Sequence, residues 1–312
     1  MLYDCIIIGA GSAGLTAAMY TTRRDMKTLV ISKDLGGQAT LTDKIYNYPG
    51  IKFMAGLPMM QIFRQQAQEF GAEFVFNEVE SVQKTEVGFA VKTTTEEYQA
   101  KVVLLCFGLT PRDLGVEGER SYDERVIFHA VTEYGHLYKG KDVAVIGGGN
   151  SAFDSVVHLA PMVKRLYLVH RNNTFRGEEI TLKKIQALPN VEFILNSQVD
   201  GFVGGEKLEV VRLRNKTGEL RELAVDGVCV NIGYTTNTKW LGDLVERDKK
   251  GHIIISKDCE TATEGLYAAG DCTDMPYKQI ITSAGDGCKA AMKAYEYLMA
   301  KEGKRAIMID WT

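Results

Sequence analysis

Twice along the chain, apolar positions fall into the same succession: a short unbroken apolar run, a glycine turn, then a helical pattern. The first is Cys5-Ile6-Ile7-Ile8, followed by Gly9-Ala10-Gly11-Ser12-Ala13-Gly14. Ala13, Leu15, Ala17, Ala18 and Tyr20 then keep the spacing of an amphipathic helix over 12–23. The second is Val143-Ala144-Val145-Ile146, followed by Gly147-Gly148-Gly149-Asn150-Ser151-Ala152. Its helix runs from Asn150 to Leu159 and stops ahead of Pro161, which lacks an N–H and clashes inside a helix. Strands at 3–8 and Thr28–Ser32 flank the first helix, and a strand over Arg165–His170 follows the second.

The remaining pattern fills in around these units. Leu57, Met60, Ile62, Phe63, Ala67 and Phe70 give an apolar helical face over 57–70, which fits a core stripe better than a cofactor box. Short strands are predicted at 73–76, 79–83, 88–93 and 97–105, and again at 191–195, 199–203, 207–214 and 220–223. Leu114 to Asp142 reads as a linker leading into the second motif. Gly227–Gly233 and Gly265–Asp271 each predict a strand ending in a glycine turn, and a helix is predicted from near Gln279 through Leu298.

The glycine turns carry chemistry. Gly9, Gly11 and Gly14 form G-x-G-x-x-G, and Gly147, Gly149 and Ala152 form G-x-G-x-x-A. In such a turn the first glycine permits the bend, the second lets backbone approach a pyrophosphate, and the third small residue lets helix pack on strand. The helix N-terminus then offers unpaired N–H groups and partial positive charge to phosphate. One such turn is as readily structural as functional. Two, each between strand and helix, point to two dinucleotides meeting in one protein, a flavin and a nicotinamide. An acidic residue for the first ribose is expected about 20 residues after the glycines. Asp34 is near that place, but Ser32-Lys33 occupies the strand end, so this contact stays unassigned. After the second unit the strand ends His170-Arg171-Asn172-Asn173-Thr174-Phe175-Arg176. Arginine at this position suits the 2′-phosphate of NADP, where an acid would hold the 2′-hydroxyl of NAD. A solvated basic turn is the alternative.

Bulk numbers narrow the class. The 312 residues suffice for about two domains, with 45% hydrophobic and 25% charged residues, as in a globular enzyme. A net charge of −3 singles out no basic surface for nucleic acid. No leader pattern precedes the first strand and no apolar run approaches a membrane span, so the expected location is the cytoplasm. The six cysteines, Cys5, Cys106, Cys229, Cys259, Cys272 and Cys288, form no C-x-x-C pair and no metal-like spacing, so no metal is expected. Cys5, Cys106 and Cys229 lie in apolar strands as small core residues.

Leu35-Gly36-Gly37-Gln38 followed by Asn47-Tyr48-Pro49-Gly50 is similar to the flavin-contacting loop of the low-molecular-weight thioredoxin reductase family, and the resemblance extends from Asp4 to Leu298. It implies an α/β fold of two Rossmann-like, three-layer ββα dinucleotide-binding domains. A NAD(P)H domain over 114–240 is inserted into a discontinuous FAD domain over 1–113 and 241–312. It further implies that FAD contacts Gly9, Gly11, Ser12, Ala13, Gly14, Gly36, Gly37, Gln38, Asn47 and Val79. Cys106 and Gly108 stand at the family's A-T-G turn, whose first two residues are altered here. Gly270 and Asp271 match the fingerprint in which the aspartate holds the ribityl chain. Lys278, Gln279 and Ile280 open the helix aimed at the flavin N1/O2 edge, with Lys278 where the family has arginine. For NADP the implied residues are Gly147, Gly149, Asn150, Ser151, Ala152, His170, Arg171, Arg176 and Gly233. Asn172 replaces the family's second arginine, so NADPH is favoured and NADH use stays open. The strands from 73 to 105 resemble the family's small three-stranded β-layer.

One family feature is missing. Its redox C-x-x-C lies shortly before the second glycine motif, and in register those positions hold Ala130 and Glu133, neither able to form a disulfide. Cys272 and Cys288 are the remaining pair to consider, distant in sequence and set in core-like contexts. The thioredoxin-reductase-like ferredoxin–NADP reductases share this frame without the pair and carry a C-terminal extension over the flavin. Here Gly303 to Thr312 continues past the last helix, with Trp311 expected either near the isoalloxazine or docked on its own domain. The implied activity is a homodimeric FAD enzyme in which NAD(P)H passes a hydride to flavin N5, with no side-chain acid or base required. Electrons then reach a protein carrier such as ferredoxin or flavodoxin. The alternatives are an NAD(P)H oxidase or diaphorase, and a flavoprotein that NAD(P)H does not reduce.

Overall fold

The computed structural model describes residues 1–42 and 44–306; Asp43 and the last six residues, the expected Trp311 contact among them, lie outside the described residues. In chain order the elements are β1 (Leu2–Ile8), α1 (Ser12–Thr22), β2 (Thr28–Ser32), α2 (Gly56–Glu69), β3 (Glu73–Phe76), β4 (Val79–Thr85), β5 (Gly88–Thr93) and β6 (Glu97–Leu105). Then come β7 (Thr110–Pro111), β8 (Ile127–Phe128), α3 (Val131–Tyr134), β9 (Asp142–Gly147), α4 (Asn150–Leu159), β10 (Arg165–Val169), α5 (Glu179–Gln186) and β11 (Val191–Ile194). The chain closes with β12 (Ser197–Gly204), β13 (Leu208–Asn215), β14 (Leu220–Ala224), β15 (Gly227–Asn231), β16 (Tyr234–Thr235), β17 (Leu266–Ala268) and α6 (Ile280–Lys301).

The chain divides into two compact units, one of Met1–Thr110 with the chain from Thr235 onward, the other Pro111–Tyr234. The sequence places these crossings at 113/114 and 240/241. Local bonds account for the difference. The Arg112 N–H donates to Gly233 O (3.0 Å), keeping both in the second unit, whereas the Trp240 ring packs on Phe107 at 5.4 Å within the first.

In the first unit, β3, β2, β1, β6 and β17 pair in parallel. Their residues are apolar on both faces because both faces are covered. On one side lie α1, α2 and α6, packed through Leu15, Ala17, Ala18, Met59, Met60, Ala290, Ala291 and Ala294 onto Cys5, Ile7, Val30 and Leu104. On the other, Phe89, Val91 and Leu241 cover Ile6, Ile8 and Leu29. Small residues on α1 and α6 bring these helices close, and α1 is buried well beyond the single face its amphipathic reading implied. The β-layer differs from expectation. Residues 73–76 are the outer strand of the parallel sheet, while β4, β5 and β6 form the antiparallel layer. The long β6 serves both: Glu97–Ala100 pairs with β5, and Val103–Leu105 pairs with β17.

The second unit repeats the plan. Its parallel sheet has the order β11-β10-β9-β15-β8. Phe153, Val156, Leu159 and Ile185 cover one face, and the antiparallel sheet β12-β13-β14 covers the other through Phe202, Val211 and Leu213. The stretch expected as a linker, 114–142, supplies β8, which pairs with β15. Helix α5 carries no readable sequence period: only Ile185 of its eight residues is buried.

Candidate functional sites of the two units

In the first unit the glycine turn lies between β1 and α1, at the C-terminal edge of the parallel sheet, where open α/β sheets bind ligands. Gly9 has φ +110, and a side chain there would strike the Cys106 carbonyl. Gly14 is pressed so closely on β1 that a Cβ would collide with the Gly9 carbonyl oxygen. Gly11 contrasts with both: the nearest atom to a Cβ there is Gly36 O at 3.9 Å. The turn is therefore packed from behind and open in front. Gly11 caps α1 with no side-chain acceptor, so the N–H groups that follow, at Ser12, Ala13 and Gly14, face that opening.

The surrounding segments are tied to this turn. Ser32 Oγ at the end of β2 accepts the Ala10 N–H at 3.1 Å, and the Gly36 N–H donates to Ala10 O at 2.7 Å. Asp34 accepts the Gly37 N–H at 3.2 Å and Lys33 pairs with Glu78 at 2.6 Å, so the residues near the expected ribose acid are engaged locally. Gln38 donates to Leu109 O at 2.9 Å, beside Gly108 with its φ of +65. Asn47 donates to Gln279 Oε1 at 2.8 Å across 232 residues of sequence, joining two of the expected flavin contacts. Gln279 also caps α6 in a reciprocal box with Thr282, ahead of Ile280.

Next to that helix start, Gly270 leads into Asp271, which accepts the Ser283 hydroxyl at 3.0 Å. Burial pushes the Asp271 carboxyl above its ordinary pKa. Lys278 donates to Thr273 O at 2.6 Å, and burial pulls its ammonium below the ordinary value. Val79 begins β4 and packs against the cluster on the β-layer face that also takes Phe107 and Trp240. All six cysteines are free thiols. Burial pushes the Cys272 thiol up to about 12 and the Cys106 thiol well above its ordinary value; Cys288 is half-buried and also raised. None is poised as a thiolate.

In the second unit the turn between β9 and α4 is built alike. Gly147 (φ +155) has no room for a side chain beside the Asn231 carbonyl, and Ala152 fits as the small residue below it. Gly149 has nothing within 4 Å of a built Cβ and caps α4 with no side-chain acceptor, leaving Asn150 and Ser151 exposed at the helix start. The segment after β10 folds back over this turn. Arg176 N–H donates to Gly148 O at 2.8 Å, and the Glu178 N–H donates to Asn150 Oδ1 at 2.7 Å. His170 is buried, with its ring against Gly148 and stacked on Phe175 at 5.1 Å. Its Nε2 lies 3.1 Å from Thr174 O, a carbonyl that can only accept, so Nε2 carries the proton. Burial, followed by the charges of Arg171 and Arg176, holds its pKa below the ordinary value. Arg171 and Arg176 are exposed, and among the described residues neither guanidinium pairs with a carboxylate. Gly233, with φ +99, follows β15 on the other side of the turn.

Ala130 and Glu133 lie at the start of α3: Ala130 is its N-cap and Glu133 is in its first turn. Three residues escaped the sequence reading. Ser32 holds the first turn by its hydroxyl, Asn231 abuts the second through its carbonyl, and His129 follows β8 with Nδ1 2.8 Å from Val230 O. Each depends on which strands become neighbours, a signal no local pattern contains.

Comparison with known proteins agrees with this architecture. A family model described as pyridine nucleotide-disulphide oxidoreductase matches residues 3–293. Thioredoxin reductase of Treponema pallidum is 37% identical over 299 residues, covering 95% of this chain and 97% of that protein. A Bacillus subtilis protein named NADH dehydrogenase is 32% identical over 95% of this chain and 59% of its own length. The solved thioredoxin reductase of Lactococcus lactis superposes with a TM-score of 0.85 at 30% identity, over 96% of this chain and 99% of that one.

Proposed function

The chain belongs to the pyridine nucleotide-disulphide oxidoreductase family of FAD- and NAD(P)-dependent enzymes, and from that premise we propose that it moves electrons between NADPH and a protein carrier such as ferredoxin or flavodoxin, without a redox-active disulfide. In this reading the first unit holds FAD and the second holds NADPH. The observation that carries it is paired: two helix starts, each uncapped behind a glycine turn packed from the rear and open in front, in a chain with no C-x-x-C.

The residues fit both groups. A pyrophosphate at each turn would take the free N–H groups of α1 or α4. Gly36, Gly37, Gln38 and Asn47 would border the FAD, Asp271 would accept from its ribityl hydroxyls, and the α6 N-terminus with Lys278 would favour negative charge at the N1/O2 edge. Arg171 and Arg176 would hold a 2′-phosphate by charge-assisted bonds. Bound flavin supplies two-electron uptake from nicotinamide and one-electron release to a carrier; the protein's part is binding, alignment and exclusion of water. With Ala130 and Glu133 at the redox-pair positions, an exchangeable dithiol has no place in the route. A second copy is expected to cover exposed apolar side chains of the first unit, among them Phe53, Leu57, Ile62 and Ile281.

An anaerobic titration of the flavin-loaded protein with NADPH, then NADH, followed at the flavin absorbance band, tests the reading. Bleaching by NADPH and reoxidation by ferredoxin or flavodoxin are expected. No bleaching by either nucleotide would overturn it and favour a flavoprotein that NAD(P)H does not reduce. The Bacillus relative's name favours a second reading, a diaphorase, which fast reoxidation by quinone with no turnover of either carrier would establish.

A further inference from the structure

We propose that His129 is a specificity-determining residue of the second unit's nucleotide site, its Nε2 accepting a hydrogen bond from the carboxamide N–H of the nicotinamide. The inference rests on the proposed NADP site in that unit and adds a residue on the opposite side from Arg171 and Arg176.

Position comes first. β8 pairs in parallel with β15 through Ile127–Val228 and Phe128–Cys229, so His129 is the next residue at the C-terminal edge of the sheet. That edge also carries the Gly147–Gly149 turn after β9, the His170–Arg176 segment after β10, and Asn231–Gly233 after β15. Strands β10, β9, β15 and β8 are consecutive neighbours. With the 2′-phosphate at Arg171 and Arg176 beyond β10 and the pyrophosphate at the β9 turn, the other half of the dinucleotide crosses β15 toward β8. His129 is two strand spacings from the glycine turn, about 10 Å, the reach of one ribose and its base.

Chemistry comes second. Nδ1 lies 2.8 Å from Val230 O. A main-chain carbonyl only accepts, so Nδ1 carries the proton, and the Nε2 of the neutral ring is left as a bare acceptor. The ring is half-buried and anchored at one nitrogen, so the free acceptor has a fixed direction. A nicotinamide carboxamide brings two N–H donors, the complement of that lone pair. If the ring were merely a strap between β8 and β15, its loss would lower stability without discriminating among nucleotides.

The test measures dissociation constants of three probes on the flavin-loaded protein. They are NADP⁺, 2′,5′-ADP (which lacks the nicotinamide half), and the 3-acetylpyridine analogue of NADP⁺, whose acetyl group has no N–H. The unsubstituted protein is expected to bind NADP⁺ about tenfold more tightly than the acetylpyridine analogue, the scale of one hydrogen bond. His129→Ala and the bulkier His129→Phe are both expected to erase that difference while holding 2′,5′-ADP within about twofold. The 2′,5′-ADP value doubles as the control that the unit still folds. Equal weakening of all three probes by both variants would overturn the inference, as would an unsubstituted protein indifferent to the acetyl replacement. Failure of the unsubstituted protein to bind 2′,5′-ADP or NADP⁺ would remove the NADP site itself, a different result from binding that His129 does not influence.

Discussion

The two units repeat one plan, yet the ends of their second strands are put to opposite use. At the end of β2, three consecutive polar side chains bond within the protein: Ser32 to Ala10, Lys33 to Glu78 and Asp34 to Gly37. After β10, the backbone is tied down by Arg176 and Glu178, but the Arg171 and Arg176 guanidiniums are left exposed. In the first unit the side chains fix the shape of the turn, which suits a ligand that stays. In the second the backbone fixes the shape and free charge is offered outward, which suits a ligand that comes and goes.

The largest effect expected from this contrast separates the glycines packed behind the turns from those open in front. Gly14→Ala sets a methyl against the Gly9 carbonyl, a collision with backbone that no side-chain movement relieves. A loss of about 3 kcal/mol is expected, with FAD lost on purification. Gly149→Ala meets nothing within 4 Å at a φ of −109, so melting should move by less than about 0.5 kcal/mol equivalent while NADPH binding falls, because the methyl would occupy the proposed pyrophosphate approach. Thermal melts, flavin content and NADPH titration of both variants check this. If Gly149→Ala left nucleotide binding intact, the second turn would be structural only.

Next in size are the charged arms. Charge-assisted hydrogen bonds contribute about 1.5–3 kcal/mol each, so Arg171→Ala or Arg176→Ala should raise the KM for NADPH about tenfold or more and leave the KM for NADH unchanged. Lys33→Ala, at the corresponding place in the first unit, removes one exposed ion pair and should leave flavin retention as it was. Equal effects on NADPH and NADH would sink the 2′-phosphate assignment.

The same contrast explains what the sequence made legible. The two βαβ units are local in sequence and their inner strands are apolar without interruption, so β2 and α4 could be bounded closely from pattern alone. Likewise Asn47 and Gln279 were each picked out by motif, and the fold brings them into one hydrogen bond. Pairings across the chain were not legible. Whether 73–76 joins β2 or the β-layer is decided by its neighbours, and four residues carry no period to reveal it. β8 is two residues inside what reads as a linker, made a strand only by β15 beside it. The part of Ser32 is hidden for the same reason: a serine at a strand end looks alike whether its hydroxyl meets water or the Ala10 amide.

A smaller effect is expected where the first unit's loops are pinned. Asn47→Ala removes one exposed hydrogen bond to Gln279, which should cost about 1 kcal/mol or less in the melt. It should also loosen the loop at the proposed flavin edge, read as a faster loss of FAD on dilution. Unchanged FAD release would confine the pair to a role in packing.

The smallest expected effect is a dependence on pH that arises at one glycine turn and not at the other. Ser32, the side chain that holds the first turn, does not titrate. His170, packed on the second turn, does, and its folded pKa lies below the ordinary value of about 6.5 because of burial and then the two arginines. As pH falls through about 6.5 the unfolded ring takes up a proton that the folded ring refuses, so the unfolded state binds more protons. The contribution is therefore whole above that pH and is lost progressively below it. Melts between pH 8 and 5.5 should show a decline that His170→Asn flattens, and saturating NADP⁺ should also flatten it, because a 2′-phosphate at the proposed site beside Arg171 and Arg176 would offset the charge that disfavours the imidazolium. A decline equally steep in His170→Asn would place its origin elsewhere in the chain and leave the second turn, like the first, indifferent to pH.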